Sequence, residues 1–238
     1  MFKTIKNSIP NTITSMNLLS GVVAIIFAFH FNEDICWGLK GFQWSFICIA
    51  ASALFDFCDG ASARLLHAYS ALGKELDSLS DLVSFGVAPA MLMLNALLLS
   101  TGGCWLSYAA LFIPVMGALR LAKFNIDETQ KTTFSGLPIP ANAIFWIGYV
   151  NMIAADGVKF PVWVSVAIIV AVSLMMVVNM RMFSLKFKNF SLRDNWLRFL
   201  IIAATVALVA IFGVTGLMWT ILLYILLSSG SLFRPSVA

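Results

Sequence analysis

Charge is what this sequence has least of. Fifteen Lys and Arg and eleven Asp and Glu make up only 11% of 238 residues, where a soluble domain carries nearer a quarter. That shortage excludes a water-soluble globule, because 61% of the residues are hydrophobic and the mean hydropathy is +0.93. Histidine is scarcer still, with His30 and His67 alone. Neither belongs to an H-x-K motif, which argues against a phosphohistidine intermediate. The four cysteines, Cys36, Cys48, Cys58 and Cys104, show no C-x-x-C spacing and suggest neither a zinc site nor a disulfide framework. Internal repeats and low-complexity linkers are also missing. No small-x-small cleavage site follows Lys3 and Lys6, so the first apolar run reads as an uncleaved helix.

What the chain does have is apolar runs of membrane-crossing length. Eight are expected, at 15–31, 42–58, 77–99, 104–122, 140–155, 160–180, 198–212 and 216–233. The expected fold is an all-α integral membrane protein with about eight transmembrane helices. It forms a single transmembrane domain over 1–238, with no room for a separate soluble one. Thirteen of the fifteen basic residues fall at the termini or in alternate loops, while Lys40 and Lys159 share the other side with Glu33, Asp34 and Asp156. The positive-inside rule then places both termini in the cytoplasm. The net charge of +4 reads as topology plus contact with anionic headgroups, and gives no reason to invoke nucleic acid. Segment 181–198 alternates basic and apolar residues and is expected to lie along the cytoplasmic interface.

One stretch breaks the apolar pattern. Residues 56–81 read Asp56-x-x-Asp59-Gly60-x-x-Ala63-Arg64, then eight residues, then Gly73-x-x-x-Asp77-x-x-x-Asp81. Residues three or four apart share a helix face. Asp56, Asp59 and Ala63 therefore line one stripe at the end of the second span, and Gly73, Asp77 and Asp81 line another at the start of the third. The short HAYSAL turn lets the two stripes face each other. Ionised carboxylates at membrane depth cost several kcal/mol each, so four together call for a counter-charge. Divalent cations supply it, and an all-oxygen site suits Mg²⁺ or Mn²⁺. Two such ions bridged by shared carboxylates would clamp a phosphate or pyrophosphate. Gly60, Ala63 and Gly73 leave room for a ligand, and the Arg64 guanidinium suits phosphate oxygens. For each residue alone, close helix packing or an ion pair is an equal explanation. Eight specified positions together arise by chance roughly once in 10¹⁰ starts.

The pattern resembles the signature of the CDP-alcohol phosphotransferases, and every signature position is matched. That resemblance implies displacement of CMP from a CDP-linked lipid by an acceptor hydroxyl, with divalent metal, in an enzyme that is typically a homodimer. It implies that Asp56, Asp59 and Asp77 bind metal, and that Asp81 completes a second metal site and acts as general base. Gly60, Ala63 and Gly73 would border the nucleotide, and Arg64 would steady its phosphates. Four further blocks resemble the phosphatidylserine synthase branch: IPNTITSMNLLSG at 9–21, LVSFGVAPA at 82–90, RLAKFN at 120–125 and FSGLPIPANA at 134–143. After about residue 145 the resemblance fades. The branch implies CDP-diacylglycerol and L-serine as substrates, in the plasma membrane of a prokaryote. It more often has Arg where this chain has Lys123.

A serine acceptor carries a carboxylate and needs a cation near the metal centre. Arg120 is the first candidate, followed by Lys123 and Lys131, although positive-inside bias alone accounts for basic residues there. Asn11 and Thr14 are candidates for binding the CDP-lipid, or else an interfacial cap on the first helix with Pro10 setting its entry. Other acceptors (glycerol-3-phosphate, an inositol phosphate, choline) keep the same chemistry, but a phosphorylated one should demand more basic residues. A proton or cation transporter would need polar residues continuing to the far side.

Overall fold

A computed structural model describes residues 2–126, 134–182 and 192–230. Among these residues the chain is mainly helical, with connecting turns and two short β-ribbons. Its helices are α1 (Phe2–Phe29), α2 (Gly41–Leu66), α3 (Ala71–Asp81), α4 (Ala88–Thr101), α5 (Phe112–Ile126), α6 (Ile139–Ala154), α7 (Val162–Val177), α8 (Leu192–Phe212) and α9 (Gly216–Gly230). Residues 82–87 continue α3 into α4 through a wider π-helical turn, and residues 105–111 lead into α5 as a 3₁₀ helix. Ribbon β1 (Asp34–Cys36) and β2 (Leu39–Lys40) closes the α1–α2 connection; β3 (Phe134–Ser135) pairs antiparallel with β4 (Arg181–Met182).

Five helical segments among the described residues are long and apolar enough to cross a membrane: Ser8–Phe29, Gly41–Leu65, Ala71–Thr101, Trp105–Ile126 and Asn195–Ser229. The expectation was eight. Ile139–Ala154 and Val162–Val177 are apolar but shorter, at 16 residues or about 24 Å each, against roughly 30 Å of hydrocarbon. The Asn195–Ser229 segment is not one straight rod. Gly213 adopts φ +58, and a Cβ on Gly216 would lie 2.4 Å from the Leu208 carbonyl oxygen. Residues eight apart in a straight helix are separated by about 12 Å, so the chain folds back here into an α8–α9 hairpin.

Helix α6 forms the centre of the core. Every residue from Phe145 to Asn151 is buried, as expected of a helix that is apolar all round. The Phe145, Trp146 and Tyr149 rings pack on one another with centroids 5.0–6.1 Å apart. At Gly148 a Cβ would lie 2.4 Å from the Met218 backbone nitrogen, so a glycine is what allows α9 to approach α6. At the far end of α6, Asn151 donates to Thr215 at 3.1 Å and Thr215 donates to Asp156 at 2.6 Å. These bonds hold the tip of the α8–α9 hairpin against the end of α6, so α9 runs antiparallel to it.

Helix α1 is held on two sides by buried serines. Ser45 and Ser52 of α2 donate to the carbonyls of Ala24 and Asn17, at 2.8 and 3.1 Å. From the other side, Ser80 and Ser84 donate to the carbonyls of Thr14 and Asn17, at 3.3 and 3.0 Å. Where helices meet without a hydrophobic driving force, small residues and interhelical hydrogen bonds set the crossing. Here they sandwich α1 between the two aspartate-bearing helices.

Candidate active site

The α2–α3 turn explains how the aspartates meet. Helix α2 ends at His67, in the left-handed conformation with φ 49, while Ala68 N–H bonds back to the Ala63 carbonyl at 3.0 Å. Three residues later Ser70 caps α3 by accepting the Gly73 N–H at 2.9 Å. The chain has reversed, and one carboxylate oxygen from each of Asp56, Asp59 and Asp77 lies within 4.8 Å of the others. Asp59 is 6% exposed, and the buried oxygens Asp59 Oδ2 and Asp77 Oδ1 have no hydrogen-bond partner. Buried, unpaired carboxylate oxygens at such separations are costly unless a cation sits among them. The donor set is all oxygen and fits a hard divalent ion. Asp81 lies one helical turn beyond Asp77 and within electrostatic range of all three. Immediately after it the helix widens into its π turn, a feature often found at functional sites.

A cavity of about 240 Å³ opens beside this cluster. Asn11, Thr14, Gly60, Ala63, Arg64 and Gly73 all line it, together with Asp59, Asp77 and Lys74. The structure thus brings together the six residues expected to contact a CDP-lipid. Gly73 is needed for a close approach: a Cβ there would stand 2.9 Å from Ser70 Oγ and 3.0 Å from Asn11 Oδ1. Asn11 and Thr14 do not cap α1, because the helix starts at Phe2 and carries Pro10 inside it. A proline lacks an N–H but keeps its carbonyl, and the Thr14 hydroxyl donates to that carbonyl at 3.0 Å.

Among the basic candidates, Arg120 is 9% exposed, with its guanidinium 5.9 Å from the Phe124 ring and within electrostatic range of Asp81. Lys123 is exposed and does not line the cavity; its ammonium donates to Asn179 Oδ1 and the Val177 carbonyl, tying α5 to the end of α7. Lys131 lies outside the described residues, as do residues 183–191, half of the interfacial segment expected at 181–198. His30 pairs with Glu33 at 2.8 Å at the opposite end of α1, and His67 serves as the α2 cap.

One residue of the site escaped the sequence reading. Asn17 is fully buried, and its Nδ2 donates to Asp81 Oδ1 at 3.3 Å. The available signal was its place three residues after Thr14, an amide on the same face of an apolar helix.

A model of the family described as CDP-alcohol phosphatidyltransferase matches residues 7–178, nearly three quarters of the chain. The chain belongs to that family. The CDP-alcohol phosphatidyltransferase match runs on past residue 145 through α7, and leaves α8 and α9 outside it. Similar curated proteins include one from Mycobacterium leprae, 38% identical over 59% of this chain and 45% of its own length. Another from Bacillus subtilis is 39% identical over 56% of this chain and 70% of its own. A third, from Methanocaldococcus jannaschii, is 36% identical over 61% and 62%. Each is named CDP-diacylglycerol–serine O-phosphatidyltransferase. The chain spans about half the length of most of the curated relatives it matches. Members of the family generally depend on a divalent metal, in keeping with the aspartate cluster.

Proposed function

We propose that this protein transfers the phosphatidyl group of CDP-diacylglycerol to the hydroxyl of L-serine, releasing CMP and forming phosphatidylserine. The observation that carries the reading is the pair of unpartnered carboxylate oxygens, on Asp59 and Asp77, at the wall of a cavity that also holds Asn11, Thr14, Arg64 and Gly73. The names of the relatives support serine as acceptor. The enzyme works in the plasma membrane of a prokaryote, as a homodimer, with both termini and the aspartates on the cytoplasmic side. Arg64 and Lys74 at the aspartate end, against Lys40 with Glu33 and Asp34 at the other, support that orientation.

In this reading Asp56, Asp59, Asp77 and Asp81 hold Mg²⁺ or Mn²⁺, in two sites. When bound, such ions neutralise phosphate charge and stabilise the departing CMP. The cavity side chains do the positioning. Arg64 and Lys74 face the pyrophosphate, Asn11 and Thr14 offer hydrogen bonds to the nucleotide, and Gly60, Ala63 and Gly73 keep the floor open. The lipid tails remain in the bilayer. Arg120 attracts the serine carboxylate, and Lys131 adds positive charge to the approach; Lys123, bonded to α7, is at most a distant contributor. Asn17 fixes one oxygen of the Asp81 carboxylate, and the other takes the proton of the serine hydroxyl. The serine oxygen forms its bond to the β-phosphorus as the bond from that phosphorus to the CMP oxygen breaks. Asp81→Asn tests the assignment. General-base catalysis contributes about 10²–10⁴-fold, so serine-dependent CMP release should fall by that factor while CDP binding by calorimetry persists. Full turnover in Asp81→Asn would remove Asp81 from the mechanism.

A further inference from the structure

The walls of the nucleotide cavity come from α1, α2, α3 and the α2–α3 turn, yet one of its cations is held from α5. Lys74 lines the cavity from the first turn of α3, one residue after Gly73 and three before Asp77. Its ammonium donates to the backbone carbonyl of Asn125 at 3.2 Å, across 51 positions of sequence. Asn125 is the penultimate residue of α5. Its carbonyl is therefore among the last four of that helix, which lack an N–H of their own helix and stand at the negative end of its dipole. Lys74 reaches across from α3 and caps them.

That contact is braced from below. Asn125 Nδ2 donates to Ser78 Oγ at 3.0 Å, and the Ser78 hydroxyl donates in turn to the Lys74 carbonyl at 3.2 Å. Lys74 and Ser78 stand one turn apart on α3, so three bonds close a ring through two residues of α3 and one of α5. Asn125 and Ser78 are half-buried, whereas Lys74 is exposed. An exposed lysine side chain is long and flexible, and a ligand that must fix it binds more weakly for doing so. Here the side chain is fixed before the ligand arrives. The ammonium has three N–H groups: Asn125 takes one, and two are left for phosphate oxygens.

We propose that Asn125 is a positioning residue for the CDP-lipid: bonded to Ser78, it keeps the end of α5 where its own carbonyl aims Lys74 at the pyrophosphate. This rests on the CDP-lipid reading above and holds whichever alcohol is the acceptor. It gives the end of α5, well beyond the aspartate signature in sequence, a part in nucleotide affinity. Asn125→Leu and Ser78→Ala each break the brace and leave the Lys74 side chain in place.

The test is a double-mutant cycle read by calorimetric titration of the full chain with CDP in the presence of Mn²⁺. Asn125→Leu and Ser78→Ala should each weaken CDP binding about three- to tenfold, the cost of ordering one long side chain. Added to Lys74→Met, either change should weaken it less than twofold further, because no ammonium remains to be aimed. In CMP-release assays the same loss should appear as a raised KM for CDP-diacylglycerol, with the serine KM and the kcat within twofold. Unchanged CDP affinity in both Asn125→Leu and Ser78→Ala, or equal weakening with and without Lys74, would overturn the positioning role and leave the CDP-lipid reading intact. Absence of metal-dependent CDP binding by the unsubstituted protein would overturn both.

Discussion

Replacing Asn17 with leucine separates the orientation of Asp81 from the architecture around it. The side chain is fully buried, its Nδ2 donates to Asp81 Oδ1 at 3.3 Å, and its own Oδ1 is buried without a partner. The backbone carbonyl of the same residue anchors α1 by accepting the hydroxyls of Ser52 and Ser84, and leucine keeps that carbonyl. A hydrogen bond to a charged group contributes about 1.5–3 kcal/mol, and a buried orphan acceptor costs about 1–3 kcal/mol. The substitution loses the first and relieves the second, so the unfolding midpoint should barely move. Turnover has no such offset. Losing 1.5–3 kcal/mol from the positioning of the base corresponds to about a 10- to 150-fold drop in kcat. The assay is CMP release at saturating CDP-diacylglycerol and serine, beside a calorimetric CDP titration. That titration should be unchanged because Asn17 does not line the nucleotide cavity. A kcat within twofold of the unsubstituted protein would refute the idea that Asn17 orients Asp81.

Two further outcomes follow from the geometry. Asp77→Ala removes one of the three converging carboxylates, and metal-dependent CDP binding should vanish from calorimetric titrations; a normal titration would contradict the cation site. Gly148→Ala places a Cβ 2.4 Å from the Met218 backbone, forcing α6 and α9 apart, and should destabilise the protein by about 1–3 kcal/mol in thermal unfolding. An unchanged midpoint would show that the α6–α9 contact is looser than described.

Much of the site was legible because helical periodicity alone converts the Asp-x-x-Asp and Asp-x-x-x-Asp spacings into faces, and a short turn between them forces those faces together. Span positions were legible for the same kind of reason, since hydrocarbon thickness sets a minimum length. The number of membrane-length helices was not. Helices α6 and α7 are 16 residues each and enclosed or packed by neighbours, so apolar composition marks core there as well as membrane. The π turn at 82–87, where Ser84 bonds the Asn17 carbonyl of α1, has no compositional signature. The sequence ranks Arg120 ahead of Lys123, although positive-inside bias can account for basic residues at both positions. Burial distinguishes them, with Arg120 inside and Lys123 turned to the end of α7.

The most direct test of the account is product identity. Purified protein given CDP-diacylglycerol and divalent metal, with L-serine, glycerol-3-phosphate and inositol phosphate present together, should form phosphatidylserine and CMP in equal amounts by mass spectrometry, and nothing when the metal is chelated. A phosphatidyl product of another alcohol would contradict the serine assignment, and metal-independent turnover would contradict the aspartate site on which the whole reading stands.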